Sequence, residues 1–317
     1  MQPQTAPVAA AQPFGTLLTA MVTPFTAEGH VDFAAAGELA VYLAGRGSDG
    51  LVVCGTAGES SSLGCDEKEQ LIREVRHAVG GRAKIVAGTG TNDTMRSVAM
   101  ARRAARAGAD GQLVVTPYYN KPTQGGLVKH FTDIAASSEL PVMLYDNPGR
   151  TGLAITTSTL LRLAENPSIV AIKDAKADFA ATTVVLAETD LAVYSGDDAL
   201  ALPWLAAGAA GLVSVSANVA PDLFRRLVDA VRAGDLPLAR QLHFVLAPLA
   251  RAVMNHIPPA AAAKYLMAEQ RVLESPAVRA PLMTPTPDEA AAIRGELGEA
   301  ALPLDPGRRH ALGASES

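Results

Sequence analysis

Cysteine is all but missing from this chain: Cys54 and Cys65 are the only two among 317 residues. Two such thiols make neither a disulfide framework nor a metal-binding cluster, and they fit a reducing compartment. Aromatic side chains are scarce as well, at 4%, so a core must be built mainly from Ala, Val, Leu and Ile. The six histidines are scattered and no His-Glu-x-x-His spacing occurs, so a metal ion is not expected. No long basic run exists. The densest clusters, Arg102-Arg103 with Arg106 and Arg225-Arg226, suit the solvated face of a helix, and the net charge is -5, so nucleic acid is not an expected partner. No apolar stretch is long and unbroken enough to span a bilayer, so no membrane partner is expected either. Met1 to Gln12 has no positive n-region and no apolar h-region. That segment (1–12) and residues 305–317 are expected to be disordered tails of a cytoplasmic protein.

What is present is an ordinary globular balance, 49% hydrophobic and 19% charged, with enough chain for a sizeable core. Short apolar runs recur, each followed by a longer segment of helical spacing. They are Leu17–Val22, Leu51–Cys54, Lys84–Ala87, Gly111–Thr116, Pro141–Tyr145, Ile169–Lys173, Leu191–Ser195 and Gly211–Val215. Their composition is nearly continuous in Val, Leu, Ile and Ala, which marks parallel strands covered on both faces. Asp32 is a start signal for the segment running to Gly47, and Asp66 with Glu69 resembles a capping box. Asp93 or Thr94 starts a helix that ends at Gly108, and Pro221-Asp222 opens one that stops at Gly234.

Eight such units in about 220 residues predict a (β/α)8 TIM barrel over 13–234. An open doubly wound sheet is the other architecture. It ordinarily carries a Gly-rich nucleotide turn after its first strand, and Thr23-Pro24-Phe25 is not one. After Gly234 no further strand is expected. Leu236–Met254, Pro259–Gln270 and Pro287–Leu297 read as a C-terminal helical domain over 235–304.

In such a barrel the chemistry sits at the C-terminal ends of the strands. Lys173 ends the sixth run. An ammonium cannot attack a carbonyl, and enclosure disfavours the charged form of an amine. Taken alone, this lysine better suits a side chain that snorkels outward or pairs with Asp174 or Asp146. Hydroxyls from other strand ends (Tyr145, Tyr119 and Thr56) shift the balance, because Schiff-base chemistry needs several proton transfers that hydroxyls carry without a permanent charge. The turn Gly55-Thr56-Ala57-Gly58 suits either an ordinary βα connection or a cradle of N–H groups for a carboxylate. Arg150 suits either solvent or a second carboxylate.

Several segments together resemble the dihydrodipicolinate synthase and N-acetylneuraminate lyase family. They are Gly55–Ser60, Tyr118-Tyr119-Asn120-Lys121-Pro122, Tyr145 through Gly152, Ile172-Lys173-Asp174-Ala175, Ser195-Gly196-Asp197-Asp198 and Gly211 through Asn218. The match runs in order from about Gly15 to Pro285. The resemblance implies a homotetramer built as a pair of tight dimers and a reaction between pyruvate and an aldehyde, with no cofactor. It implies that Lys173 forms the Schiff base, that Tyr145 is the general acid/base, and that Thr56 and Tyr119 complete the relay, Tyr119 reaching in from a neighbouring subunit. Gly196 and Val213 would line the pyruvate pocket through their backbone. Pro148-Gly149-Arg150-Thr151-Gly152 points to the branch that uses L-aspartate 4-semialdehyde, with Arg150 on its carboxylate. A related aldolase or dehydratase acting on a 2-keto-3-deoxy sugar acid or 4-hydroxy-2-oxoglutarate shares the first half of that chemistry. An inert 2-oxo-acid sensor would not need Lys173, Tyr145, Thr56 and Tyr119 all intact.

Three departures from the family pattern carry expectations. Ala57 stands where a second hydroxyl residue usually helps hold the pyruvate carboxylate, and a lost charge-assisted hydrogen bond costs about 1.5–3 kcal/mol. Asn147 stands where an aliphatic residue is more usual, and the Asn255–Lys264 segment is altered; either is a mark of a relative acting on a different aldehyde. Cys65 and Arg96 correspond to a His and a Glu of the lysine site in feedback-inhibited members, and an arginine there would repel the ammonium of lysine. Ala57→Thr is therefore expected to lower the KM for pyruvate, and an unchanged KM would contradict the reading. Steady-state rates are expected to persist in millimolar lysine, whereas abolished activity would refute the charge argument.

Overall fold

The computed structural model describes residues 11–298; the two predicted tails lie outside these residues, apart from Ala11 and Gln12. Eight strands alternate with helices: β1 (Leu17–Ala20), β2 (Gly50–Val53), β3 (Lys84–Gly88), β4 (Gly111–Val115), β5 (Val142–Asp146), β6 (Ile169–Asp174), β7 (Ala192–Ser195) and β8 (Gly211–Ser214). They form one closed parallel barrel in sequential order. Each lies within an apolar run named above, to within a residue or so at either end. The open-sheet alternative is excluded by the pairing of β1 with β8, Leu18 opposite Val213 and Thr19 opposite Ser214.

Closure explains why the runs are apolar throughout. Leu18, Val52, Val86, Met143, Ala171 and Val213 point inward and pack together. Their neighbours Leu17, Leu51, Ile85 and Leu212, or Leu144, Ile172 and Val193, point outward beneath the helices. Both faces of every strand are therefore buried. Phe14 plugs the N-terminal mouth, and Tyr194 donates its hydroxyl to Gly15 O at 2.9 Å. Gly111 makes room for the plug, since a Cβ there would lie 2.3 Å from the Phe14 ring. Asn218 staples the seam where the barrel closes. It accepts from Val22 N–H at 3.2 Å and donates to Ala20 O and Val215 O at 2.8 Å.

Asp32 and Asp93 cap their helices through the Ala35 and Arg96 amides as expected. The expected Asp66–Glu69 start is corrected. The helix Cys65–Val79 begins one residue earlier than Asp66, with Gly64 as its N-cap, and Glu67 reaches back to the Gly64 N–H at 2.8 Å. Glu69 instead pairs with Arg73 and Arg103. Leu236–Met254, Pro259–Glu269 and Pro287–Leu297 form the C-terminal helices. One buried network ties them to the barrel: the fully buried Lys264 donates to Glu59 and to Ala277 O, and Arg279 N–H donates to Glu59 at 2.9 Å. Burial pulls the Lys264 pKa down to about 8 against the pull of Glu59.

His130, on the helix Gln124–Ala135, is buried between helices. Its Nδ1 meets Thr94 Oγ1 at 2.9 Å, while Nε2 is buried without a partner among the described residues. Burial therefore disfavours the imidazolium and lowers the pKa to about 4, with Asp133 and Asp93 opposing too weakly. Because the unfolded chain takes up this proton near pH 6.5 and the folded chain only near pH 4, stability from this residue is full above 6.5. It falls as pH drops from 6.5 toward 4, by about 3 kcal/mol at most. Urea midpoints at pH 7.5 and 4.5 are expected to differ less for His130→Gln than for the unmodified chain; an identical difference would contradict this.

Candidate active site

The inward parity of the strands sets which side chains meet at the C-terminal mouth. Tyr145 follows Met143 by two residues and Lys173 follows Ala171 by two, so both point into the barrel. In register they are direct partners across β5 and β6, and Lys173 is in turn opposite Tyr194 on β7. Lys173 is 4% exposed, and its Nζ lies 4.4 Å from the centroid of the Tyr145 ring. Neither carboxylate offered as an alternative partner takes it. Asp146 pairs with Lys176 at 3.7 Å. Asp174 accepts from the Lys176 and Ala177 amides and from the Thr182 hydroxyl. Gly196 supplies the space: a Cβ there would lie 2.8 Å from Lys173 Cε.

Tyr145 is 5% exposed. Its hydroxyl accepts from Asn147 Nδ2 at 2.9 Å and is hydrogen-bonded to Thr56. Burial raises the phenol's pKa. The Lys173 charge, the hydrogen bonds from Asn147 and Thr56, and Arg150 together outweigh burial and leave it below its ordinary value of 10.0. The group is thus readied to give and take protons beside an amine.

The turn after β2 closes on itself through Glu59 N–H to Thr56 O and Ser60 N–H to Gly55 O. Glu59 takes a left-handed φ of 55° to do so. The amides of Thr56 and Ala57 make no such bond among the described residues, which suits a cradle for a carboxylate. Two adjoining cavities of about 310 and 170 Å³ share a wall of Gly55, Thr56, Leu113, Tyr145, Asn147 and Arg150. Lys173, Gly196 and Ala57 line the smaller one. Arg150 is held by the short turn Pro148–Thr151. That turn is anchored on either side by Asp146, whose carboxylate accepts from the Ile155 amide at 3.2 Å.

The structure thus brings together Lys173, Tyr145, Thr56, Ala57, Arg150 and Gly196. It does not bring in two other residues. Val213 faces the barrel interior one layer deeper, and Val215, two residues along the same strand face, lines the smaller cavity instead. Tyr119 is 90% exposed in its own chain, with a left-handed φ of 69°, while Tyr118 lines the larger cavity. A non-glycine residue held in that region is strained, a feature that clusters at functional sites. Cys65 and Arg96 are exposed and line neither cavity; besides Arg150, the larger cavity carries the cation Lys68, beside Ser60, Ser61 and Thr91. Sequence reasoning missed Lys68, which lies one helical turn beyond Cys65, and it missed the partnership of Asn147 with Tyr145, which their spacing of two at a strand end would have signalled. Among the described residues no helix is long and apolar enough to cross a membrane, and no cluster of three metal-ligating side chains occurs.

Comparison with known proteins agrees with this geometry. The model of the dihydrodipicolinate synthetase family matches residues 13–299. The 4-hydroxy-tetrahydrodipicolinate synthase of Kineococcus radiotolerans is 52% identical over 297 residues, covering 93% of this chain and 96% of its own. The dihydrodipicolinate synthase of Cyanidioschyzon merolae, solved with lysine bound, superposes with a TM-score of 0.88 at 37% identity, over 92% of this chain and all of its own. The chloride-inhibited enzyme of Acinetobacter baumannii, solved in complex with pyruvate, gives a TM-score of 0.87 at 35% identity, with the same coverage.

Proposed function

The chain belongs to the dihydrodipicolinate synthetase family, and from that premise we propose that it condenses pyruvate with L-aspartate 4-semialdehyde to 4-hydroxy-tetrahydrodipicolinate through a Schiff base on Lys173. The observation that carries the reading is the buried pairing of Lys173 with Tyr145, its Nζ 4.4 Å from the ring centroid at the mouth of the barrel.

The neutral amine of Lys173 adds to the ketone carbon of pyruvate. Tyr145 gives a proton to the carbinolamine hydroxyl, which leaves as water and yields the iminium. The amides of Thr56 and Ala57 hold the pyruvate carboxylate. Tyr145, now a base, takes a proton from the methyl carbon and leaves an enamine. The enamine carbon attacks the aldehyde, whose oxygen is protonated through the hydroxyl relay of Tyr145 and Thr56. The amine of the semialdehyde then adds to the iminium carbon, closes the ring and expels Lys173. Arg150 binds the carboxylate of the semialdehyde with its two-pronged guanidinium. Tyr119 completes the relay from a neighbouring copy, a role supported by its outward, strained position. The working assembly is a homotetramer, a dimer of tight dimers, in the cytoplasm, and the reaction feeds lysine and diaminopimelate biosynthesis.

A panel of aldehydes offered with pyruvate tests the acceptor. Turnover is expected to be fastest with aspartate semialdehyde. Arg150→Ala is expected to raise the KM for it by about ten- to a hundredfold, with a much smaller effect on exchange of the pyruvate methyl protons with solvent deuterium, since Arg150 is the weakest of the influences on Tyr145. Equal loss of both activities, or preference for an uncharged aldehyde, would overturn the assignment.

A further inference from the structure

Tyr145 lies one residue before the end of β5 and Asn147 one residue beyond it, so the two are spaced by two residues and the amide lies alongside the phenol. Asn147 Nδ2 donates to the phenol oxygen at 2.9 Å. The same side chain lines both cavities, next to Arg150. The phenol is nearly sealed from water, and few groups face it: Lys173 from β6, Arg150 from the turn after β5, and Thr56 from the turn after β2. Thr56 also lowers the phenol's pKa through its hydrogen bond, but as a hydroxyl that both donates and accepts it can turn to serve the protonated form. The amide of Asn147 offers only N–H at this contact, and an N–H donor favours the form of the phenol that carries more negative charge on oxygen.

We propose that Asn147 is a positioning residue that fixes the Tyr145 hydroxyl at the cavity wall and biases it toward the phenolate, setting the pH at which this chain can remove a proton from its bound keto acid. The bias is built into the chain before the second substrate arrives, because it rests on a contact between residues two apart in the chain. A phenol held only by Thr56 would stay protonated to higher pH and rotate about that single hydroxyl. The amide supplies a second fixed direction, so the lone pair that must point at the substrate carbon is the one left over. The inference deepens the proposed function by naming a residue that controls its proton-transfer group.

Its test separates the contact from the catalytic reading. Protein labelled with ¹³C at the tyrosine ζ carbons, with Tyr145→Phe to assign the resonance, reports ionisation of Tyr145 without any turnover. The Tyr145 signal is expected to titrate below 10.0 in the unmodified chain and roughly one pH unit or more higher in Asn147→Leu. Asn147→Asp, which presents an acceptor in place of the donor, is expected to move it further up, and serves if the leucine variant fails to fold. In the exchange of pyruvate methyl protons, the acidic limb of the rate profile is expected to move upward by the same interval. An unmoved Tyr145 titration in both variants overturns the inference, whatever the enzyme's substrate. A moved titration with no pyruvate exchange in the unmodified chain would leave the inference standing and sink the proposed reaction instead.

Discussion

The register that pairs β5 with β6 governs everything at the mouth of this barrel. Tyr145 and Lys173 face each other because Val142–Asp146 and Ile169–Asp174 run parallel in one alignment, with an irregularity near Val142 that precedes the paired residues. A slip of β6 by one residue would turn Lys173 toward the helices and bring Asp174 inward beside Tyr145. The outward placement of those two acids is equally consequential. Asp146, its pKa raised by burial to about 6, is engaged by the Ile155 amide and Lys176. Asp174 is engaged by backbone amides and Thr182. The strand ends thus keep carboxylates away from the amine and a phenol beside it.

The turn after β2, proposed to cradle the carboxylate, depends on residues far away in the chain. Glu59 ends that turn in a left-handed conformation, and its buried carboxylate is held by Lys264 and by the Arg279 amide. Arg279 also reaches Gly29 O, Ser62 O and Glu67. Removing one partner of such a buried pair leaves an uncompensated charge, a change worth about 3–5 kcal/mol. The C-terminal helices are therefore part of the active site's support, even though none of their residues takes part in the chemistry.

Much of this was legible in the sequence. Eight apolar runs followed by helical spacing give the barrel, because strands buried on both faces cannot alternate. Lys173 and Tyr145 are legible as inward residues at strand ends. The Glu59–Lys264 pair is not, because it joins positions 205 residues apart through packing that no local pattern encodes. The helix start at Gly64 was misplaced because a glycine cap carries no side-chain signal, whereas Asp66 looked like one. Val213 and Val215 share a parity, so only the stagger of the closed barrel tells which layer reaches the cavity. Tyr119 was legible as a hydroxyl near a strand end, but its outward direction follows from a backbone angle that sequence does not show.

Borohydride reduction in the presence of pyruvate, followed by peptide mass spectrometry, tests the central claim most directly. One reduced pyruvate unit is expected on the peptide carrying Lys173 and on no other lysine, Lys176 and Lys68 included. Turnover by a chain that acquires no such adduct at Lys173 would contradict the Schiff-base mechanism.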